Sequence, residues 1–315
     1  MNSPPWLSAL RMRGILWLTE LRFPFFTASL ASVFLGVAMA WSLANRFDWV
    51  YFLPTLAGAL CLHGGSNVIN DYFDYKSGCD QGNREAIFPF TGGSRLLVQG
   101  ALNPKEALAY ALSLFAIAGG VGVYLALIRG WFVLVLAAFG ILSGYLYTTH
   151  LATKGVGEFF VGLNFGPLLA LGTYYVQTQD LAVEPFIAAV PLGLLVTAIL
   201  WINEIPDYTA DRIVGKNTAI VRFGRKRAAE VYAYIISSAY LIIAVGVTLK
   251  TLPAISLIVL LTLPQALKAM RIASQYYESS ELRPANALTI MVHFETGLLL
   301  VAAYVLQRLL TVFIT

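Results

Sequence analysis

Asn67-Val68-Ile69-Asn70-Asp71-Tyr72-Phe73-Asp74-Tyr75-Lys76-Ser77-Gly78-Cys79-Asp80 is one acidic row in an otherwise apolar chain. Asn203-Glu204-Ile205-Pro206-Asp207-Tyr208-Thr209-Ala210-Asp211-Arg212 is a second. Both contain Asn-x-x-x-Asp-Tyr, and each follows directly from a long hydrophobic run. The match reads as an internal pseudo-repeat. On a helix, positions i, i+4 and i+7 or i+8 share a face. That spacing predicts one stripe of Asn67, Asp71 and Asp74 and another of Asn203, Asp207 and Asp211. Carboxylates gathered at the mouth of an apolar bundle repel one another unless a cation lies between them. The ligand set is all oxygen, with no clustered His or Cys, which favours a hard ion. Mg²⁺ characteristically binds through a few carboxylates plus substrate phosphates. Solvated helix ends would explain one such row. Duplication in matching positions argues for a metal site.

Outward from the rows, apolar residues come in runs long enough to cross a bilayer, for which roughly 20 residues per helix suffice. Nine such segments are expected, at about 24–42, 50–70, 106–128, 131–149, 159–177, 184–203, 230–249, 252–270 and 288–312. Lipid cannot satisfy free backbone groups, so each is predicted to be a helix. Of the 315 residues, 58% are hydrophobic and 12% charged, and the mean hydropathy is +0.71. No interval between the runs has room for a separate soluble domain. The expectation is an all-α, multi-spanning membrane bundle forming a single domain over residues 1–315, with the lipid bilayer as its environment. Basic Arg11 and Arg13 near the N-terminus are not followed by a short apolar core and cleavage site, so no removable signal peptide is expected. The net charge of +4 and the lack of a basic tract exclude nucleic-acid binding. Cys61 and Cys79 make no disulfide framework or metal cage.

Lys and Arg set the orientation. With the N-terminus and the loops after even-numbered segments on one side, only Arg46, Arg129, Lys250 and Arg308 of the 21 basic residues fall on the other. The rich side is predicted to be cytoplasmic, and both acidic rows lie there. So do Lys76, Arg84, Arg95, Lys154, Arg212 and Lys216. Magnesium with Lys and Arg is the arrangement that holds a diphosphate and stabilises it as a leaving group. Gly92-Gly93-Ser94-Arg95 adds a turn whose backbone amides can approach phosphate.

At these residues the chain resembles the UbiA superfamily of intramembrane aromatic prenyltransferases, over nearly its whole length. The resemblance implies nine helices, with Asp-rich motifs at the cytoplasmic ends of the second and sixth. Within that superfamily the chain looks like the 1,4-dihydroxy-2-naphthoate (menaquinone) branch. Three stretches carry the likeness: Asn70 to Gly78 followed by Asp80, Thr91-Gly92-Gly93-Ser94-Arg95 ahead of Gly100-Ala101-Leu102, and Gly157-Glu158-Phe159-Phe160-Val161 through Thr178. Asp207, Asp211, Gly215, Lys216 and Thr218 also match. One departure stands out: Asn203-Glu204-Ile205-Pro206-Asp207 replaces the Asn-Asn-x-Arg-Asp of many menaquinone enzymes.

The chemistry implied is ionisation of an allylic diphosphate, followed by attack of an electron-rich aromatic acceptor on the allylic carbon. The catalytic aspartates would be Asp71, Asp74, Asp207 and Asp211. Arg22 is a candidate to orient an acceptor carboxylate, and Asn67, Asn70 and Asn203 to line the acceptor and prenyl site. Ring faces stabilise cations, which makes Tyr145, Tyr147, Tyr174 and Tyr175 candidates to shield the carbocation. His63, His150 and His293 are too scattered to suggest a base. Another acceptor (4-hydroxybenzoate, homogentisate, haem or a glycerol-based lipid) remains open because of Pro206. An ion-coupled transporter is the rival from another class, but it would place its carboxylates nearer the bilayer midplane. The expected location is a plasma membrane, with the site on the cytoplasmic side.

Overall fold

A computed structural model describes residues 5–314, with side chains described for 13–313. The side chain of Arg11 lies outside the described residues, as do the first residues of the stretch expected not to be a signal peptide and both extremes of the 1–315 domain. A helix not expected from the apolar runs, α1 (Pro5–Glu20), comes first. Nine helices long and apolar enough to span a membrane follow among the described residues. They are α2 (Phe23–Ala44), α3 (Trp49–Ser77), α4 (Pro104–Arg129), α5 (Phe132–Leu151), α6 (Gly157–Thr178), α7 (Val183–Ile213), α8 (Arg225–Thr248), α9 (Ala254–Tyr276) and α10 (Ser280–Phe313). No strand occurs among the described residues.

Local chemistry sets the helix ends. Asp48 caps α3 by accepting from the Val50 amide at 2.8 Å, and Gly78, at φ 82°, stops it in the left-handed region. Asn103 caps α4, with Pro104 in the first turn. Two acidic helix ends differ from expectation. α3 and α7 run past the expected ends at 70 and 203, to Ser77 and Ile213. A count of apolar residues stops where carboxylates begin, but the backbone ladder continues until a residue such as Gly78 breaks it. The second row therefore lies on one continuous helix, and the first does as far as Ser77, with Cys79 and Asp80 beyond the break at Gly78.

α3 packs on α4 and α7 on α8, while α2 sits against α6 and α10. α6 and α7 cross at their glycines. A Cβ on Gly166 would lie 2.4 Å from the Gly193 Cα, so the two backbones touch directly. That crossing brings Glu158 at the start of α6 beside the last turns of α7. Two connecting segments then fold back over this end of the bundle. Residues 78–103 are anchored by buried Leu96, Leu97 and Leu102, which join Val68 and Ile69 of α3 in one cluster. Residues 214–224 are anchored by Ile220, which is wholly buried, and by the Thr218 cap of a short helix, Ala219–Phe223. Arg225, at the start of α8, pairs with Glu85 and ties the first of these segments to that helix.

Candidate active site

Beneath these segments lies a mostly apolar cavity of about 300 Å³. Thr55 and Asp74, both on α3, line it, so it follows that helix for about 28 Å. Its far reaches are walled by residues such as Leu62, Val121, Leu125, Leu136 and Leu169. Its polar end holds Asp74, Asp80, Asp207 and Asp211 with Lys216.

Lys216 binds both rows. Its Nζ donates to Asp74 Oδ1 at 2.9 Å and Oδ2 at 3.0 Å, and it lies 3.7 Å from Asp211 Oδ1. Burial works against its charge, but Asp74 and Asp211 keep the ammonium protonated well above the usual lysine range. Asp207 accepts from Asn83 Nδ2 at 2.6 Å. The Cys79 thiol contacts Asp211 at 3.1 Å. Burial and the neighbouring Asp74 and Asp211 push that thiol up despite Lys216. Burial, followed by the charges of Asp74 and Asp71, pushes Asp80 up to about 8.

The first row does not act as one stripe. Asp74 faces the cavity, as do Asn67 and Asn70. Asn70 Nδ2 reaches Asp74 at 3.1 Å and Thr148 at 2.7 Å, and Asn67 Nδ2 donates to the Leu21 carbonyl at 2.9 Å. Asp71 is outside the lining, and only 2% exposed. Its Oδ2 accepts from the Ser94 amide at 2.6 Å, and Arg22 stands 3.8 Å from its Oδ1. The Gly92-Gly93 turn causes this. Gly93 has φ 68°, and a Cβ there would fall 2.9 Å from the Asp71 carboxylate. The turn caps Asp71 through the Ser94 amide, while Thr91, Gly92 and Gly93 themselves line the cavity. Glu20 completes the network, accepting from Ser94 Oγ at 2.5 Å. Burial and the charge of Asp71 push Glu20 up to about 8.

The second row opens fully onto the cavity. Asn203, Asp207 and Asp211 all line it, and Asn203 Oδ1 accepts from Asn286 at 2.7 Å. Arg22 lines the same space. It stacks over Phe25 at 4.7 Å and donates to the Phe90 carbonyl at 3.1 Å. Tyr147 lines it as well.

Other expected site residues lie elsewhere. Lys76, Arg84, Lys154 and Arg212 are exposed and outside the cavity lining. Lys76 sits over the Tyr72 ring and Arg212 reaches the Tyr208 hydroxyl. Arg95 turns the other way, bonding the Asp80 and Asn83 carbonyls at 3.0 and 3.3 Å, and so shapes the loop. Tyr145 is 38% exposed and packs edge-on against Phe73. Tyr174 and Tyr175 are buried in packed clusters and are not themselves among the lining residues. Charge on a shared side of the membrane does not bring a flexible side chain to a buried site.

Sequence reasoning gave no role to Glu204, Glu158, Asn83 or Cys79. For Glu204 the signal was present, because an ionisable side chain inside a spanning helix marks a functional position. Asn83 carried none, because its place depends on how 78–103 folds back.

The comparisons agree with this architecture. Residues 29–306 match the UbiA prenyltransferase family. The chain is 28% identical over 293 residues to the 2-carboxy-1,4-naphthoquinone phytyltransferase of Synechocystis sp., covering 92% of each. It is 29% identical over 249 residues to the 1,4-dihydroxy-2-naphthoate octaprenyltransferase of Bacillus subtilis, covering 78% of each. The fold resembles a UbiA homologue from Aeropyrum pernix K1, with TM-score 0.70 and 17% identity over 90% of this chain and 98% of that one. A homologue from Archaeoglobus fulgidus, solved with DMAPP and Mg²⁺ bound, gives TM-score 0.61 at 16% identity over 91% and 99% of the two chains. With the family matched across most of its length and the nine helices in place, this chain is a multi-pass membrane prenyltransferase of the UbiA family.

Proposed function

We propose that the enzyme transfers a polyprenyl group from a Mg²⁺-bound prenyl diphosphate to 1,4-dihydroxy-2-naphthoate, with loss of CO₂, giving a demethylmenaquinone. One observation carries this reading: a single cavity joins four carboxylates and a buried lysine to a long apolar chamber. A diphosphate suits the first end and an isoprenoid tail the second. The names of the two curated relatives point to naphthalenic acceptors.

The residues present fit Mg²⁺. Asp74, Asp80, Asp207 and Asp211 offer only oxygen, beside the Asn67, Asn70 and Asn83 amides. Among the described residues, no three His, Cys, Asp or Glu converge into a closed cage. Mg²⁺ does not require one, since it keeps waters and takes substrate phosphates as ligands. When bound, it would neutralise the diphosphate and draw charge onto the leaving group.

In this reading Asp74, Asp207 and Asp211 hold the metal-bound diphosphate, while Lys216 adds positive charge where the allylic C–O bond breaks. Apolar walls that include Phe160 and Phe165 keep water from the allylic cation. Arg22 meets the acceptor carboxylate at the same end. The ring carbon bonds to the allylic carbon as the ring carboxylate leaves as CO₂. The uneven distribution of Lys and Arg supports a site on the cytoplasmic side of the membrane.

Pro206 favours a second reading, transfer to another aromatic or lipid acceptor, because no arginine stands at that turn. To test both, purified protein is incubated with Mg²⁺, a long prenyl diphosphate and 1,4-dihydroxy-2-naphthoate, and products are read by mass spectrometry. A prenylated, decarboxylated quinol that disappears with EDTA is the expected result. No quinol, with prenylated 4-hydroxybenzoate instead, would overturn the acceptor. Release of no diphosphate with any acceptor would overturn the whole reading.

A further inference from the structure

A second cavity, of about 410 Å³, lies beside the first at the acidic end of the bundle. α1 and the start of α2 form one side of it, and residues 88–94 form the other. Arg22, Phe25, Phe90 and Gly93 line both cavities, so they are the partition between them. The outer lining is apolar: Ile15, Leu18, Phe23 and Phe88 are each 48–51% exposed. Phe23 begins the first spanning helix, which puts this mouth at the membrane interface. An aromatic ring with one polar end favours that layer.

Side chains hold the partition in place. Arg22 donates to the Phe90 carbonyl at 3.1 Å, and Arg283 of α10 donates to the Phe88 carbonyl at 2.5 Å. Neither bond is part of a helical ladder, so breaking them leaves every spanning helix intact. Arg22 stands at φ 56°, a left-handed conformation that is costly for a residue with a side chain and clusters at ligand clamps. Its Nε has no acceptor. The guanidinium therefore keeps a donor to offer a carboxylate, which arginine takes in bidentate fashion. Beside it, Glu20 is pushed up to about 8 by burial and then by the charge of Asp71, so near neutral pH it does not repel an anion.

Substrate order gives this cavity a task. A bound prenyl diphosphate fills the long chamber with its tail and the carboxylate end with its head. The acceptor then has to arrive from a side that neither occupies, and the second cavity meets the first at Arg22. We propose that the second cavity is the entry site for the acceptor. A planar aromatic carboxylate from the membrane surface lies there among the phenylalanine rings, with its carboxylate on Arg22, before it passes Phe90 into the first cavity. The proposal rests on the prenyl transfer proposed above for its choice of ligand, and it adds a site and a direction of approach.

Site-directed labelling tests this. Thr19 is exposed and lines the second cavity but not the first, so a cysteine there reports on the mouth. Thr19→Cys is made together with Cys61→Ser and loaded with Mg²⁺ and a non-hydrolysable prenyl thiolodiphosphate, which fills the first cavity. 1-Hydroxy-2-naphthoate should slow its reaction with a bulky maleimide by about ten-fold, and 1-naphthol, which lacks the carboxylate, should slow it much less. Adding Arg22→Leu should abolish the difference between the two probes. The Thr19→Cys preparation is then assayed before and after labelling. Labelling should lower kcat/KM for the acceptor at least several-fold with the Kd of the thiolodiphosphate unchanged, a split that general damage to the fold would not give. Absence of protection by the naphthoate, equal protection by both probes, or unchanged acceptor kinetics after labelling would overturn the proposal. Loss of thiolodiphosphate binding on labelling would overturn it as well. Arg22-dependent protection in an enzyme that makes no quinol from 1,4-dihydroxy-2-naphthoate would sustain the entry site while the proposed acceptor falls.

Discussion

The two acidic rows share a motif and a helical spacing, yet they meet different surroundings. On α7, Asn203, Asp207 and Asp211 all face the cavity. On α3, Asn67 and Asp74 face it, while Asp71 between them is taken up by the Ser94 amide and Arg22. The helices are alike; the covering segments are not. Residues 78–103 press a glycine turn onto Asp71, whereas 214–224 bring Lys216 across to Asp74 and Asp211. A repeated pattern fixes which side chains share a face. What each side chain then does depends on the loop that covers it.

The largest expected effect separates the rows directly. Asp207→Ala should lower kcat/KM by about 100-fold or more, with little change in thermal melting in detergent. Asp71→Ala should act mainly on stability, since it leaves the buried Ser94 amide unpaired, at a cost of about 1–3 kcal/mol. A loss of activity in Asp71→Ala as deep as in Asp207→Ala, with melting unchanged, would make the two rows equivalent and break the comparison.

A smaller effect sharpens the account of the first row. Folded Glu20 keeps its proton up to about 8, against an ordinary value of 4.5. Across that window the folded state holds a proton that the unfolded chain gives up, so stability should fall as pH rises. Glu20→Gln should flatten the slope of melting temperature between about pH 5 and pH 8. An unchanged slope would mean that Glu20 is not the protonated partner of Ser94.

The smallest effect concerns the exposed cations. Lys76→Ala and Lys154→Ala should each leave kcat/KM within about two-fold of wild type, as surface substitutions generally do. A much deeper loss in Lys154→Ala would mean that its loop reaches the cavity during turnover.

The architecture was legible because its cause is local. Lipid demands apolar runs, and nine of them could be read directly in the chain. The facing rows were legible for the same reason, since helical spacing needs no knowledge of neighbours. The partners of Asp71 and Arg95 were not legible, because they are set by how residues 78–103 fold back over α3. Long-range loop packing leaves little trace in spacing. Lys154 and Lys216 show the same limit from the other side. Both are loop lysines on the basic side, and only Lys216 is carried inward, because Ile220 and Thr218 anchor its segment beneath the surface.

Lys216 also bears on how the protein survives isolation. Carboxylates crowded in a low-dielectric bundle would otherwise strain the fold, and this lysine gives them a built-in counter-ion that a chelator cannot remove. Folding and metal loading are therefore separate properties of the molecule. A preparation stripped with EDTA should melt as a cooperative, intact bundle, ready to be titrated with one divalent ion after another.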